Sequence, residues 1–312
     1  MEPDWIERVR AGNPRAVARA LSAVERGGAE ARSVVAAVFP LTAHAHIVGV
    51  TGAPGTGKST LVNEIAKAYR RRGQRVGIIA VDPTSPFTGG AILGDRLRMQ
   101  DLSGDAGAFI RSMATRGNLG GLASATADSV KVLDAAGFDV ILVETVGAGQ
   151  SEVDIARNAH TTVVVEAPGL GDDIQAIKAG ILEIADVLIV NKADREDANA
   201  TIAALEMNLN LKPKAANDWR PPVLRTIAIK GEGVEAVLDW IGKHRAYLES
   251  AHRIESKERE RLKAELELVV QREMMARIFH GVNSARIESL VDKIVARELD
   301  VYEAAEQVMA ET

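Results

Sequence analysis

IVGVTGAPGTGKSTLVNEIAKAY, residues 47–69, decides the fold. Its first four residues, IVGV, read as a short buried strand, and its last ten, TLVNEIAKAY, space their apolar positions as a helix does. Between them stand Gly52, Ala53, Pro54, Gly55, Thr56, Gly57, Lys58 and Ser59, which satisfy the pattern G-x-x-x-x-G-K-S, and Thr60 follows as a further nucleotide-binding candidate. Strand, glycine-rich loop and helix in that order make a phosphate cradle. The glycines let backbone N–H groups converge on an anion, and the helix N-terminus adds a favourable dipole. In such a cradle Lys58 reaches the β- and γ-phosphates and Ser59 ligates Mg²⁺. The stretch alone implies bound phosphates without saying which nucleotide carries them.

Outward from it, short β-branched runs recur: VGIIAV (76–81), FDVILVE (138–144), TTVVVEA (161–167), DVLIVN (186–191) and PVLRT (222–226). Helical patterns such as STLVNEIAKAYRRRG and SATADSVKVLDAAG separate them. Near-continuous apolar strands alternating with helices predict an α/β domain whose mostly parallel sheet is covered by helices on both faces. Residues 4–38 read as two helices broken at Gly12-Asn13-Pro14. After residue 250 the strand signals stop. Residues 254–278 form one long charged helical pattern in which Leu262, Leu266, Val269 and Val270 share a face, and 284–310 supplies two shorter helices. The long helix fits either a solvated helix packed back on the domain or a dimerisation arm with a narrow apolar stripe. The expected division is 1–45, an N-terminal helical extension; 46–250, the nucleotide domain; and 251–312, a C-terminal helical segment.

Composition narrows the chemistry. With 312 residues, 46% of them hydrophobic, the chain can bury a sizeable core, and at 4% aromatics that core is aliphatic. The absence of cysteine excludes disulfides, Cys-ligated zinc and thiol catalysis. A net charge of -5 argues against nucleic acid as partner. The acidic N-terminus, without an apolar run, shows no secretory signal, and no stretch has the roughly 20 apolar residues of a membrane helix. A cytoplasmic protein is expected.

The base is read at NKAD, residues 191–194, directly after the strand DVLIV. Asp194 can accept hydrogen bonds from both the ring N–H and the exocyclic amine of guanine, a donor pair adenine lacks. Asn191 and Lys192 would brace the loop and the ring. GTP is therefore expected over ATP. Three acids are placed to hold Mg²⁺ or its waters: Asp82 and Glu144 at strand ends, and Asp95 in the loop after Asp82, although each could instead cap a helix or face solvent. The loop 83–94, with Gly89 and Gly90, suits a segment ordered by the γ-phosphate. Gly147 in TVGAGQ gives a second switch similar freedom. Gln150 could orient the attacking water or hold this switch by its amide.

GVTGAPGTGKST, VDPTSP…GGAILGDRLRM, RSMATRGNLGG, ETVGAGQSE, EAPGLGDDIQAIKAG and NKAD, in this order, resemble the methylmalonyl-CoA mutase-associated GTPases of MeaB/ArgK type. The resemblance spans nearly the whole chain and is faintest after residue 255. It implies a P-loop GTPase of the SIMIBI branch, with an N-terminal helical extension and a C-terminal dimerisation arm, hence a homodimer. It implies GTP hydrolysis to GDP that gates adenosylcobalamin delivery from an adenosyltransferase to a coenzyme-B12-dependent acyl-CoA mutase, so the cobalamin concerns this chain only through that mutase. It implies that 166–180 is an extra switch, with Asp172, Asp173 and Gln175 as its polar residues and Lys178 reaching the nucleotide site. Lys58, Asp95, Glu144, Gln150 and Lys178 are then the expected catalytic set. The loop after PVLRT reads TIA (226–228) where relatives carry a Ser–Ala pair, leaving the Ala228 backbone N–H as the expected guanine contact. Three other classes are weighed: a metal-insertion GTPase of the nickel-accessory type, for which His44-Ala45-His46 is the sole histidine pair; a kinase of transport proteins; and an adapter that binds nucleotide without hydrolysing it.

Overall fold

The computed structural model describes residues 4–82, 100–102, 104–114, 119–145, 158–169, 179–211, 218–250, 253–281 and 284–310. Among them are seven strands: β1 (His46–Thr51), β2 (Val76–Asp82), β3 (Ala108–Ala114), β4 (Val140–Thr145), β5 (Thr161–Glu166), β6 (Val187–Val190) and β7 (Val223–Arg225). They form one sheet in the order β3-β2-β4-β1-β5-β6-β7, with every neighbouring pair parallel. All six residues of β1 and all six of β4 are buried, as a sheet covered on two faces requires.

The covering helices are α1 (Trp5–Arg10), α2 (Pro14–Arg26), α3 (Gly28–Val38), α4 (Lys58–Arg71), α5 (Leu119–Ala135), α6 (Ala179–Ile184), α7 (Ala198–Leu211) and α8 (Val234–Ser250). Alternation along the strands sorts the core into layers. Ile79, Val81, Ile141 and Val143 pack with Val17, Leu21 and Val24 of α2, Val34 of α3 and Leu133 of α5. Ile78, Val48, Val50 and Leu142 point the other way, onto Leu61 and Ile65 of α4 and Val237 and Ile241 of α8. Val164, Leu188 and Val190 carry the sheet on to Ile202, Leu205 and Leu209 of α7. The N-terminal helices thus join α5 in covering one of the sheet's two faces.

Two local readings are corrected. Residues 4–38 hold three helices where two were expected. Asn13 caps α2 by accepting from the N–H groups of Arg15 and Ala16, both at 3.1 Å, and a second break falls at Gly27-Gly28. Strand β3, AFIRSMA, was not expected at all. It lies at the sheet's edge, where Arg111 reaches out to Glu25 and Ser22 of α2 instead of joining an apolar run.

At the N-terminal ends of the strands lies a buried polar chain. His46 Nε2 is 2.9 Å from Thr161 Oγ1, which is 2.9 Å from His244 Nδ1. Burial pulls the His244 pKa from the ordinary 6.5 down to about 4, outweighing Asp186, whose Oδ1 lies 3.3 Å from Nε2. Burial also holds His46 well below 6.5. Both side chains are therefore neutral when folded, whereas the unfolded chain takes up their protons as pH falls below 6.5. Stability rises with pH across this window, and His244 contributes a loss of about 2 kcal/mol between pH 7 and pH 5. Denaturant midpoints measured at the two pH values should fall accordingly, and His244→Phe should flatten the slope; equal midpoints for the unaltered chain would contradict a neutral His244.

Met1–Arg261 form one compact unit and Leu262–Thr312 a second. Helix α9 (Arg253–Gly281) contributes to both, and α10 (Ser284–Val295) and α11 (Val301–Ala310) complete the second. There Asp300 caps α11 through the N–H groups of Tyr302 and Glu303, at 2.7 and 2.9 Å. Among the described residues no helix is long and apolar enough to cross a membrane.

Candidate nucleotide site

The chain leaves β1 for β2 and β3, returns to β4 between β2 and β1, and then crosses to β5 on the other side of β1. The C-terminal end of β1 is therefore a topological switch point, where open α/β sheets bind ligands. The phosphate loop begins there. Gly52 has φ +141, and a Cβ at this position would stand 2.0 Å from the Val165 carbonyl oxygen of β5. Gly57 has φ +91, and a Cβ there would stand 2.5 Å from Asn191 Nδ2. Glycine is needed at both positions for close approach as much as for the turn. Gly57 also caps α4, whose first residue is Lys58, so the helix's free N–H groups face the loop.

Lys58 is 6% exposed, and its ammonium donates to the carbonyls of Gly52 at 2.8 Å and Ala53 at 2.9 Å. A buried cation held by its own loop is ready to exchange carbonyl partners for phosphate oxygens. Thr56 Oγ1 also donates to Ala53 O, at 3.0 Å. Pro54 and Gly55 are exposed at the tip, and Thr60 is half-buried in the first turn of α4. Ser59 Oγ donates to Glu144 Oε1 at 2.6 Å. Glu144, near the end of β4, is 4% exposed, so this hydroxyl and this carboxylate, each expected to hold Mg²⁺, meet beside the loop. Oxygen donors of this type fit a hard divalent cation such as Mg²⁺.

The base motif is welded to the phosphate loop. Asn191 Nδ2 donates to Thr56 O at 2.8 Å, while its Oδ1 accepts from Thr226 Oγ1 at 3.1 Å and from Ala228 N at 3.0 Å. Lys192, in the left-handed region at φ +56, donates from Nζ to Gly55 O at 2.7 Å. Asp194 is exposed at the rim. The Ala228 N–H, expected to meet guanine, is engaged by Asn191 and supports the loop from behind. Thr226, which sequence reasoning passed over, is 1% exposed and completes Asn191's set of partners. The signal was the hydroxyl residue ending PVLRT. Thr145 Oγ1, also missed, donates to Thr51 Oγ1 at 3.1 Å and ties the ends of β4 and β1.

Gly89, Gly90, Asp95, Gly147, Gln150, Asp172, Asp173, Gln175 and Lys178 lie outside the described residues, as does the side chain of Asp82, whose backbone ends β2. The pair His44 and His46 splits: His44 is exposed, and His46 is buried against Thr161. Among the described residues no three His, Asp or Glu side chains are grouped to hold a metal ion.

The methylmalonyl-CoA mutase-associated GTPase family, MeaB, matches residues 17–283. A Pyrococcus abyssi protein named as a GTPase by inference is 48% identical over 100% of this chain and 97% of its own length. The Escherichia coli GTPase ArgK is 38% identical over 74% of this chain and 72% of its own. The mouse mitochondrial homolog of methylmalonic aciduria type A is 40% identical over 62% of this chain and 47% of its own length. Among solved structures, a LAO/AO transport system kinase superposes with a TM-score of 0.75 at 25% identity, covering 98% of this chain and 96% of that one.

Proposed function

Because the chain belongs to the methylmalonyl-CoA mutase-associated GTPase family and is a GTP hydrolase, we propose that its turnover serves a coenzyme-B12-dependent acyl-CoA mutase. The observation that carries this reading is the family match over 17–283, which includes the nucleotide loops as well as all of α9. The mouse relative, named for methylmalonic aciduria, supports it. On this reading hydrolysis times the delivery of adenosylcobalamin from an adenosyltransferase to the mutase and the protection of the loaded mutase, in the cytoplasm.

The chemistry follows from the residues in place. GTP seats its phosphates on the backbone N–H groups of 52–60, with Lys58 turning from the Gly52 and Ala53 carbonyls to the β- and γ-oxygens. Ser59 and Glu144, with Asp82 and Asp95, would hold Mg²⁺, which when bound neutralises charge on the phosphates. Water attacks the γ-phosphorus in line, the bond to the β,γ-bridging oxygen breaks, and GDP and phosphate leave. Catalysis of this kind is positioning and charge stabilisation, so intrinsic turnover is slow and open to acceleration by a partner. Gly89, Gly90 and Gly147 permit the two switch movements. Asp172, Asp173, Gln175 and Lys178 carry the mutase's influence to the site, and Gln150 orients the attacking water or holds the switch by its amide.

The C-terminal segment 251–312 acts as the arm of a homodimer. Leu266, Val270 and Met274, spaced four residues apart on α9, are 63%, 46% and 58% exposed, an apolar stripe suited to a second copy. Light scattering of the purified chain should give twice the monomer mass. Mixed with a B12-dependent acyl-CoA mutase, it should co-elute with that enzyme, and more so with a non-hydrolysable GTP analogue than with GDP. Separate elution in both nucleotide states, across such mutases, would refute the assignment.

A further inference from the structure

Three contacts converge on the corner 165–169, where β5 ends. Gly52 of the phosphate loop abuts Val165 O. The Asn191 N–H donates to Glu166 O at 2.8 Å. Arg195 Nη1 donates to Pro168 O at 3.3 Å. Between the last two, Ala167 is 6% exposed, and Gly169 then turns the chain at φ +71.

The base loop is itself closed. Ala193 N donates to Thr226 O, Arg195 N to Lys192 O and Ala198 N to Arg195 O, each at 3.1 Å. Asp194, the residue that reads the base, is thereby held one peptide bond from an arginine that reaches across to the end of the neighbouring strand. Glu166 pairs with Val190, the last residue of β6, so the corner and the base loop leave the sheet side by side. The phosphate contact reaches this corner at Val165 and the base contact reaches it at Pro168, three residues further on.

We propose that Arg195 is a positioning residue that carries guanine occupancy from Asp194 to the corner 166–169, so that this corner responds to the base and not to the phosphates alone. Fixing Asp194 on guanine removes backbone freedom at its neighbour, which lowers the entropic cost of keeping a long side chain on Pro168 O. This inference rests on the guanine site proposed above. The bland alternative is an exposed arginine whose contact with Pro168 is incidental, with the corner set by β5 alone.

Hydrogen exchange read by mass spectrometry on the full chain decides between them. The probes are GDP, which fills both halves of the site, and inorganic tripolyphosphate, which has no base. GDP should slow exchange in peptides covering 52–60 and 166–169, whereas tripolyphosphate should slow only the first. In Arg195→Met, GDP should still bind within about threefold of its normal affinity, while its protection of 166–169 falls about fivefold, the ratio set by one hydrogen bond of ordinary net strength. Arg195→Lys, which keeps a donor, should restore most of it. Full GDP-induced protection of 166–169 in Arg195→Met, or equal protection of that corner by tripolyphosphate in the unaltered chain, would overturn the proposal. GDP that protects neither region, or that binds Asp194→Asn as well as the unaltered chain, would instead overturn the guanine site.

Discussion

Lys58→Ala will lower GTP hydrolysis about 100- to 1000-fold, the usual effect of removing one group aimed at developing charge. It will also weaken GTP binding. Lys58 is 6% exposed, and its ammonium already lies within 2.9 Å of two carbonyls of the loop that must grip the phosphates. Its charge is therefore delivered in a site largely shielded from solvent, where it acts more strongly than at the surface. The fold should survive, because Lys58 opens α4 and alanine is the best helix former. Two carbonyls lose a donor, and they belong to a loop partly open to water. Phosphate release, with far-ultraviolet circular dichroism as the folding control, gives the answer; a folded variant that turns over GTP at the normal rate would place the chemistry elsewhere.

Asp194→Asn will change which base is bound. The carboxylate accepts from two guanine donors, and an amide offers an acceptor and a donor in its place, which matches xanthine. Affinity for GDP should fall roughly a hundredfold or more, and that for xanthosine diphosphate should rise, because each hydrogen bond to a charged group contributes about 1.5–3 kcal/mol. The change is confined to the ligand, since Asp194 is exposed and the loop is held by Asn191, Lys192 and Thr226. Nucleotide affinities by calorimetry test this, and an unaltered order of preference would remove Asp194 from base recognition.

These two residues could be read from sequence because each stands in a short motif bounded by a strand whose apolar run is unmistakable. The same holds for the six expected strands, all present and parallel. Strand β3 escaped because an edge strand needs no continuous apolar run, and Arg111 breaks this one. The break at Gly27-Gly28 escaped because glycine pairs occur within helical patterns too, and only the positive φ of both residues, +76, settles it. Asn191 was expected to brace the loop, yet nothing in NKAD said that it would join Thr56 to Thr226 and Ala228. Those partners lie 135, 35 and 37 residues away, and only the sheet brings them together. Ser59 and Glu144, 85 residues apart, meet because β1 and β4 are neighbours, a pairing the linear order hides.

That this GTPase works for a B12-dependent mutase is the proposal the family match supports. Its most direct test is phosphate release from GTP in single turnover, by the chain alone and with the mutase added, with ATP as the control nucleotide. The expected result is slow hydrolysis of GTP but not ATP, accelerated about tenfold or more by the mutase, within the range that coupling between two sites commonly gives. Hydrolysis that no acyl-CoA mutase alters, or that proceeds as well with ATP, would contradict it.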